Sequence, residues 1–161
     1  MRAWSAEDRP LDSDRRHPAD AAFDDPSGTD ARSDPLSWHT HGTLLVVDDD
    51  PAVREVMTSL LGRCGFTVLT AHDGRSAMEL FRRRADDIRL AFIDFTLPDT
   101  DGEAVFRSMR ELRPELRAVL CSGSLTDEVV DEKCRAGWAT VVRKPFHLVP
   151  FLRTIRMALG E

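Results

Sequence analysis

From residue 43 onward, short apolar runs alternate with longer segments whose apolar residues recur at helical spacing. Leu44, Leu45, Val46 and Val47 form an unbroken apolar run, as expected of a strand covered on both faces. Asp50 followed by Pro51 makes a good helix start, with Asp as the N-cap and Pro in the first helical position. Val53, Val56, Met57, Leu60, Leu61 and Cys64 then fall at offsets 0, 3, 4, 7, 8 and 11, one face of a helix that Gly65 ends.

The same alternation continues to the end of the chain. Strands are predicted over residues 67–71, 90–93, 118–121 and 140–142. Helices are predicted over 74–84, with Ala77, Leu80 and Phe81 inward, and over 102–112, with Val105, Met109 and Leu112 inward. A weaker, more polar helix follows at 126–136, and a last one runs from about Phe146 to Leu159, burying Leu148, Phe151, Leu152, Ile155 and Leu159. Strands and helices in strict alternation imply an α/β fold, a doubly wound five-stranded parallel sheet with helices on both faces. Right-handed crossovers leave few arrangements, and strand order 2-1-3-4-5 is the expected one.

Residues 1–41 do not share this pattern. They hold Pro10, Pro18, Pro26 and Pro35, nine acidic residues and five arginines, and their large apolar residues follow neither period. Such a segment buries too little to offset its ordering entropy, so it is expected to be a disordered tail before a domain spanning 42–161. His39 and His41 have no third ligand nearby and do not suggest a metal site.

Composition narrows the function classes. Of 161 residues, 42% are hydrophobic and 31% charged, an ordinary globular balance. A net charge of -6 gives no reason to expect direct nucleic-acid binding. Cys64, Cys121 and Cys134 are scattered without metal-ligand spacing and read as reduced core thiols. With no signal-peptide pattern and no apolar run near the roughly 18 residues that cross a bilayer, a cytoplasmic protein without membrane association is expected.

In open parallel sheets, ligands bind beyond the carboxyl ends of the strands. There the first strand delivers Asp48 and Asp49, the third Asp94, the fourth Ser122 and the fifth Lys144; the second delivers nothing obviously chemical. In the expected order the first and third strands are neighbours, which gathers three carboxylates. Such a group needs a cation, and Mg²⁺ suits an all-oxygen site. A carboxylate there can act as a nucleophile toward phosphorus, with an ammonium and a hydroxyl to meet the charge on the phosphoryl oxygens. Taken singly, each residue has a plainer reading: Asp50 as a helix cap, Asp94 as a turn carboxylate, Ser122 as loop polarity, Lys144 as a solvated surface lysine. Their coincidence at four of five strand ends argues for one phosphoryl-transfer site.

The segments LLVVDDDP (44–51), FIDFTLPDTDG (92–102), VLCSGS (119–124) and VVRKPF (141–146), with the element spacing, resemble the receiver domains of bacterial response regulators over about residues 43–160. The resemblance implies a flavodoxin-like fold and a phospho-accepting signalling domain rather than an enzyme. It implies Asp94 as the phosphoacceptor, and Asp48, Asp49, Asp94 and the backbone carbonyl of Thr96 as Mg²⁺ ligands. Ser122 and Lys144 are implied to contact the phosphoryl group, and the bond before Pro145 to be cis. The implied partners are a histidine kinase or histidine phosphotransfer protein and an unidentified downstream protein. The chain ends one residue after Gly160, so it is expected to act as a single-domain regulator or phosphorelay shuttle without an output module. One departure stands out: the position three before the lysine, often aromatic in this family, holds Val141, and Trp138 lies nearby.

Two other readings compete. A haloacid-dehalogenase-like phosphohydrolase would use Asp48 as its nucleophile in a first-strand DxDx motif. Against it, Ala52 occupies a place that should hold Thr or Val, no acidic pair follows Lys144, and the chain is short for a substrate-capping domain. A receiver fold serving only as a binding scaffold would lack acidic residues that are all present here.

Overall fold

The computed structural model describes residues 39–123 and 126–161. The expected tail of residues 1–41 lies outside this range except for its last three residues, and Ser124 lies outside it as well. Thr40 and His41 are tied to the domain: the Thr40 N–H donates to the Cys64 carbonyl at 2.9 Å, and Arg89 donates to the His41 carbonyl at 2.6 Å.

Five parallel strands, β1 (Thr43–Val47), β2 (Thr67–Ala71), β3 (Ile88–Asp94), β4 (Ala118–Ser122) and β5 (Thr140–Arg143), form one sheet in the order β2-β1-β3-β4-β5. They alternate with α1 (Pro51–Arg63), α2 (Gly74–Arg84), α3 (Gly102–Leu112), α4 (Asp127–Arg135) and α5 (Leu148–Leu159). The doubly wound, flavodoxin-like arrangement expected from the sequence is the one observed.

The pleat divides the core in two. Leu45, Val47, Ala91, Ile93 and Leu120 face α2 and α3, meeting Ala77, Phe81, Val105, Phe106 and Met109. Leu44, Val46, Leu90, Phe92 and Val119 face the other way, onto Met57 and Leu61 of α1 and Phe151, Leu152 and Ile155 of α5. β1 and β4 are buried throughout, as their unbroken apolar runs require, while the edge strands β2 and β5 are partly exposed.

Helix starts follow local chemistry. Asp50 caps α1 by accepting from the Ala52 N–H at 2.8 Å, Asp73 caps α2 in a reciprocal pair with Ser76, and Asp101 caps α3 by accepting from Ala104 at 2.7 Å. β3 is longer than its apolar run suggests because Arg89 lies within it, carrying its guanidinium out to His41 and Glu161.

Several burial expectations are corrected. Val56 and Leu112 are 58% and 55% exposed, and Leu148 is also exposed, while Phe106 and Ala158 are buried. Helical period sets the direction of a face but not its width, nor how far the sheet extends beneath the helix. Cys134 is exposed rather than a core thiol, because α4 buries none of its residues. Trp138 is in the core, packed against Phe106 with ring centroids 4.1 Å apart and planes tilted by 33°.

Candidate functional site

Strand register brings the expected residues to one end of the sheet. Val47 of β1 pairs with Ile93 of β3, so Asp48 and Asp94, each one residue further on, leave the sheet side by side. On the other flank Asp94 pairs with Cys121, and Ser122 pairs with Arg143, the residue before Lys144. Backbone hydrogen bonds continue past the strands and fix these exits: Asp48 N–H to Ala71 at 3.1 Å, Phe95 N–H to Cys121 at 2.8 Å, and Lys144 N–H to Ser122 at 2.8 Å.

Lys144 is the electrostatic centre. Its ammonium donates to Asp48 Oδ2 at 2.5 Å and lies 2.9 Å from Asp94 Oδ2. Asp48, Asp49 and Asp94 each offer an oxygen within 4.8 Å of the others, the one group of potential metal ligands of this kind among the described residues. The three differ in access: Asp48 is buried, Asp94 intermediate and Asp49 exposed. Asp48 is also held from behind, since its Oδ1 accepts from the Asp50 N–H at 3.0 Å and its carbonyl from Arg54 Nη1 at 2.6 Å. Ser122 is buried at the end of β4.

The charges shift one another. Burial pushes the Asp94 carboxyl above its ordinary range; the hydrogen bond and charge of Lys144 oppose this, and the charge of Asp48 adds to it. Burial pulls on Lys144 in the direction of losing its proton, but hydrogen bonds to Asp48 and Asp94 outweigh that and hold its pKa above the usual lysine value. The ammonium therefore stays charged. Directly beneath, burial pushes the Cys121 thiol up to about 12, which leaves it inert as a nucleophile.

Thr96 lies on the β3–α3 loop two residues after Asp94, exposed, and is bridged to Asp101. That loop is closely packed against α3: a Cβ on Gly102 would sit 2.2 Å from the Asp94 carbonyl oxygen. The Lys144–Pro145 bond is cis.

The sequence pattern of the response regulator receiver domain matches residues 44–156. The chain belongs to that family. It is 27% identical over 118 residues to the chemotaxis protein CheY of Bacillus subtilis, covering 73% of this chain and 97% of that protein. It is 32% identical over 117 residues to the probable transcriptional regulatory protein TcrX of Mycobacterium tuberculosis, covering 73% of this chain but 49% of that protein. Among solved structures, the receiver domain of NtrX from Brucella abortus superposes with a TM-score of 0.66 at 31% identity, covering 73% of this chain and 98% of that one. The match thus spans nearly the whole length of one relative and about half of the other. Receivers are signalling domains, and the haloacid-dehalogenase-like reading gives way to that membership. Among the described residues, no helix is long and apolar enough to cross a membrane.

Three residues in the neighbourhood were not singled out from the sequence. Arg54 holds the Asp48 carbonyl, Asp99 binds the start of α2, and Lys133 of α4 pairs with Glu103 of α3 at 2.8 Å. No local pattern marks them, because Asp99 and Lys133 act on partners distant in sequence and Arg54 on a backbone carbonyl.

Proposed function

We propose that this receiver accepts a phosphoryl group on Asp94 from a histidine kinase or a histidine phosphotransfer protein, in a Mg²⁺-dependent reaction. One observation carries the reading: a single buried-side ammonium, Lys144, lies between Asp48 and Asp94 while Asp49 faces the same pocket from solvent. The donor set fits a hard cation, being carboxylate oxygens close enough to share one ion. Asp48, Asp49, Asp94 and the Thr96 carbonyl would hold it. Bound there, Mg²⁺ neutralises charge on the phosphoryl oxygens and lets neighbouring carboxylates coexist.

The chain's own groups do the rest. An Asp94 carboxylate oxygen forms the bond to phosphorus as the bond to the donor histidine nitrogen breaks, the electron pair staying with that nitrogen. Lys144 gives up part of its pairing with Asp94 and turns its ammonium to a phosphoryl oxygen, while the Ser122 hydroxyl donates to another. The inward movement of Ser122 and Lys144 then shifts the α4–β5–α5 surface between two populations read by a downstream protein. Because Val141 is aliphatic and half-buried, this shift proceeds without the aromatic rotation common in the family. The setting is cytoplasmic, and with a net charge of -6 the receiver itself makes no direct nucleic-acid contact.

Intact-mass measurement after incubation with acetyl phosphate and Mg²⁺ tests the assignment. The wild-type chain gains about 80 Da, the mass of one phosphoryl group. An Asp94→Asn chain that gains the same mass refutes it.

A further inference from the structure

The first four backbone N–H groups of any α-helix have no partner within the helix. In α2 all four are satisfied, but from two different places. Ser76 N–H donates to Asp73 Oδ1 at 2.7 Å and Asp73 N–H to Ser76 Oγ at 3.4 Å, both within the helix's own capping box. Gly74 N–H donates to Asp99 Oδ1 at 2.8 Å and Arg75 N–H to Asp99 Oδ2 at 3.0 Å. The second pair comes from 25 and 24 residues away, from the loop between β3 and α3.

That loop leaves Asp94 and contains Thr96. Its base is closed by backbone bonds, Phe95 N–H to Cys121 and Gly102 N–H to Phe95 at 2.8 and 2.9 Å, and its turn by Leu97 N–H to Thr100 at 3.2 Å. Those bonds close the loop on itself and on β4. Asp99 adds a tether in a different direction, to the helix that follows β2. A carboxylate at a helix N-terminus is charge-matched as well as hydrogen-bonded, so the tether is stronger than two neutral bonds. β2 is the strand whose end supplies no side chain to the site; through α2 it supplies a fixed pair of backbone donors instead.

We propose that Asp99 is a positioning residue for the phosphoacceptor site: by clamping the loop to α2 it holds Thr96 in register with Asp94 and sets the affinity for Mg²⁺. The inference rests on the phosphoryl-transfer reading above. Residues that orient a metal's ligands without touching the metal control affinity because a loose ligand must be ordered at the moment of binding.

Calorimetric Mg²⁺ titration of the full chain, with hydrogen exchange at Gly74 and Arg75, tests it. Asp99→Ala is expected to lose protection at both amides and to bind Mg²⁺ about tenfold more weakly. Its phosphorylation by acetyl phosphate falls at limiting Mg²⁺ and returns to the wild-type level at saturating Mg²⁺. Asp99→Asn, which keeps a carbonyl acceptor, recovers part of the affinity. Asp73→Ala loosens the same helix end without touching the loop, and is expected to leave Mg²⁺ affinity unchanged. Equal weakening by Asp73→Ala, or wild-type affinity in Asp99→Ala, overturns the inference alone. A wild-type chain that binds no Mg²⁺ overturns it together with the reading it rests on.

Discussion

Lys144 donates to Asp48 Oδ2 at 2.5 Å while standing 2.9 Å from Asp94, so one ammonium compensates two carboxylates drawn from neighbouring strands. Removing it leaves both acids facing each other. Breaking a fully buried pair costs about 3–5 kcal/mol; Lys144 keeps about a fifth of its side chain in water, so a loss of about 2 kcal/mol is expected for Lys144→Ala. Urea denaturation in Mg²⁺-free buffer at neutral pH measures it, and an unchanged midpoint contradicts the electrostatic account.

Asp94 gives a pH signature of the opposite sense to that of a salt-bridged acid. Its carboxyl titrates higher in the folded chain than in the unfolded one, so the folded state binds the proton more readily. Stability therefore falls as pH rises from the ordinary aspartate range, about 3.9, through the raised folded value, and stays reduced above it. Asp94→Asn removes the penalty. It is expected to be more stable than wild type at pH 7, with the advantage gone below about pH 3, where the carboxyl is neutral in both states. Thermal melts across that range decide the matter, and a wild type more stable than Asp94→Asn at neutral pH runs against it.

Gly102 packs against the backbone of Asp94 itself. A methyl group there would meet the Asp94 carbonyl oxygen at 2.2 Å and Ile93 Cγ2 at 3.1 Å, so either the loop or α3 must move. Gly102→Ala is expected to lose about 2 kcal/mol, in line with overpacked cores, and to slow phosphorylation through displacement of Asp94. A variant with wild-type melting and wild-type acetyl phosphate kinetics would show that the loop yields freely.

α4 differs from the other four described helices in its lack of a buried side. It buries no residue, and nine residues are too few for a stable isolated helix. Its described ties include the Lys133–Glu103 pair to α3 and the Arg143–Asp127 pair to β5. Lys133→Ala is expected to speed amide exchange in α4 a few-fold, the scale of a surface ion pair, while the global urea midpoint hardly moves. Unchanged exchange in α4 would mean that the helix is held by other contacts.

How the site assembled shows what was readable beforehand. Asp48, Asp49, Asp94, Ser122 and Lys144 were legible because each ends a strand whose apolar run is visible, and the end of a parallel strand is a fixed address. Asp99 and the Lys133–Glu103 pair were not, since a contact between groups distant in sequence leaves no trace in local spacing, and Arg54 was not because its partner is a backbone carbonyl, which no residue type marks.

The sequence alone determined the alternation of strands and helices, the cap at Asp50, and which residues each strand presents at its carboxyl end, because these follow from side-chain period and short-range hydrogen bonding. The tertiary structure decided what those residues do to one another. Only register placed Lys144 on both Asp48 and Asp94, only burial, with the neighbouring charge of Asp48, raised the Asp94 carboxyl, and only the packing of α2 against the β3–α3 loop recruited Asp99. The physical reason is range: period and propensity act over a few residues, whereas charge, desolvation and close packing depend on groups that meet through the fold.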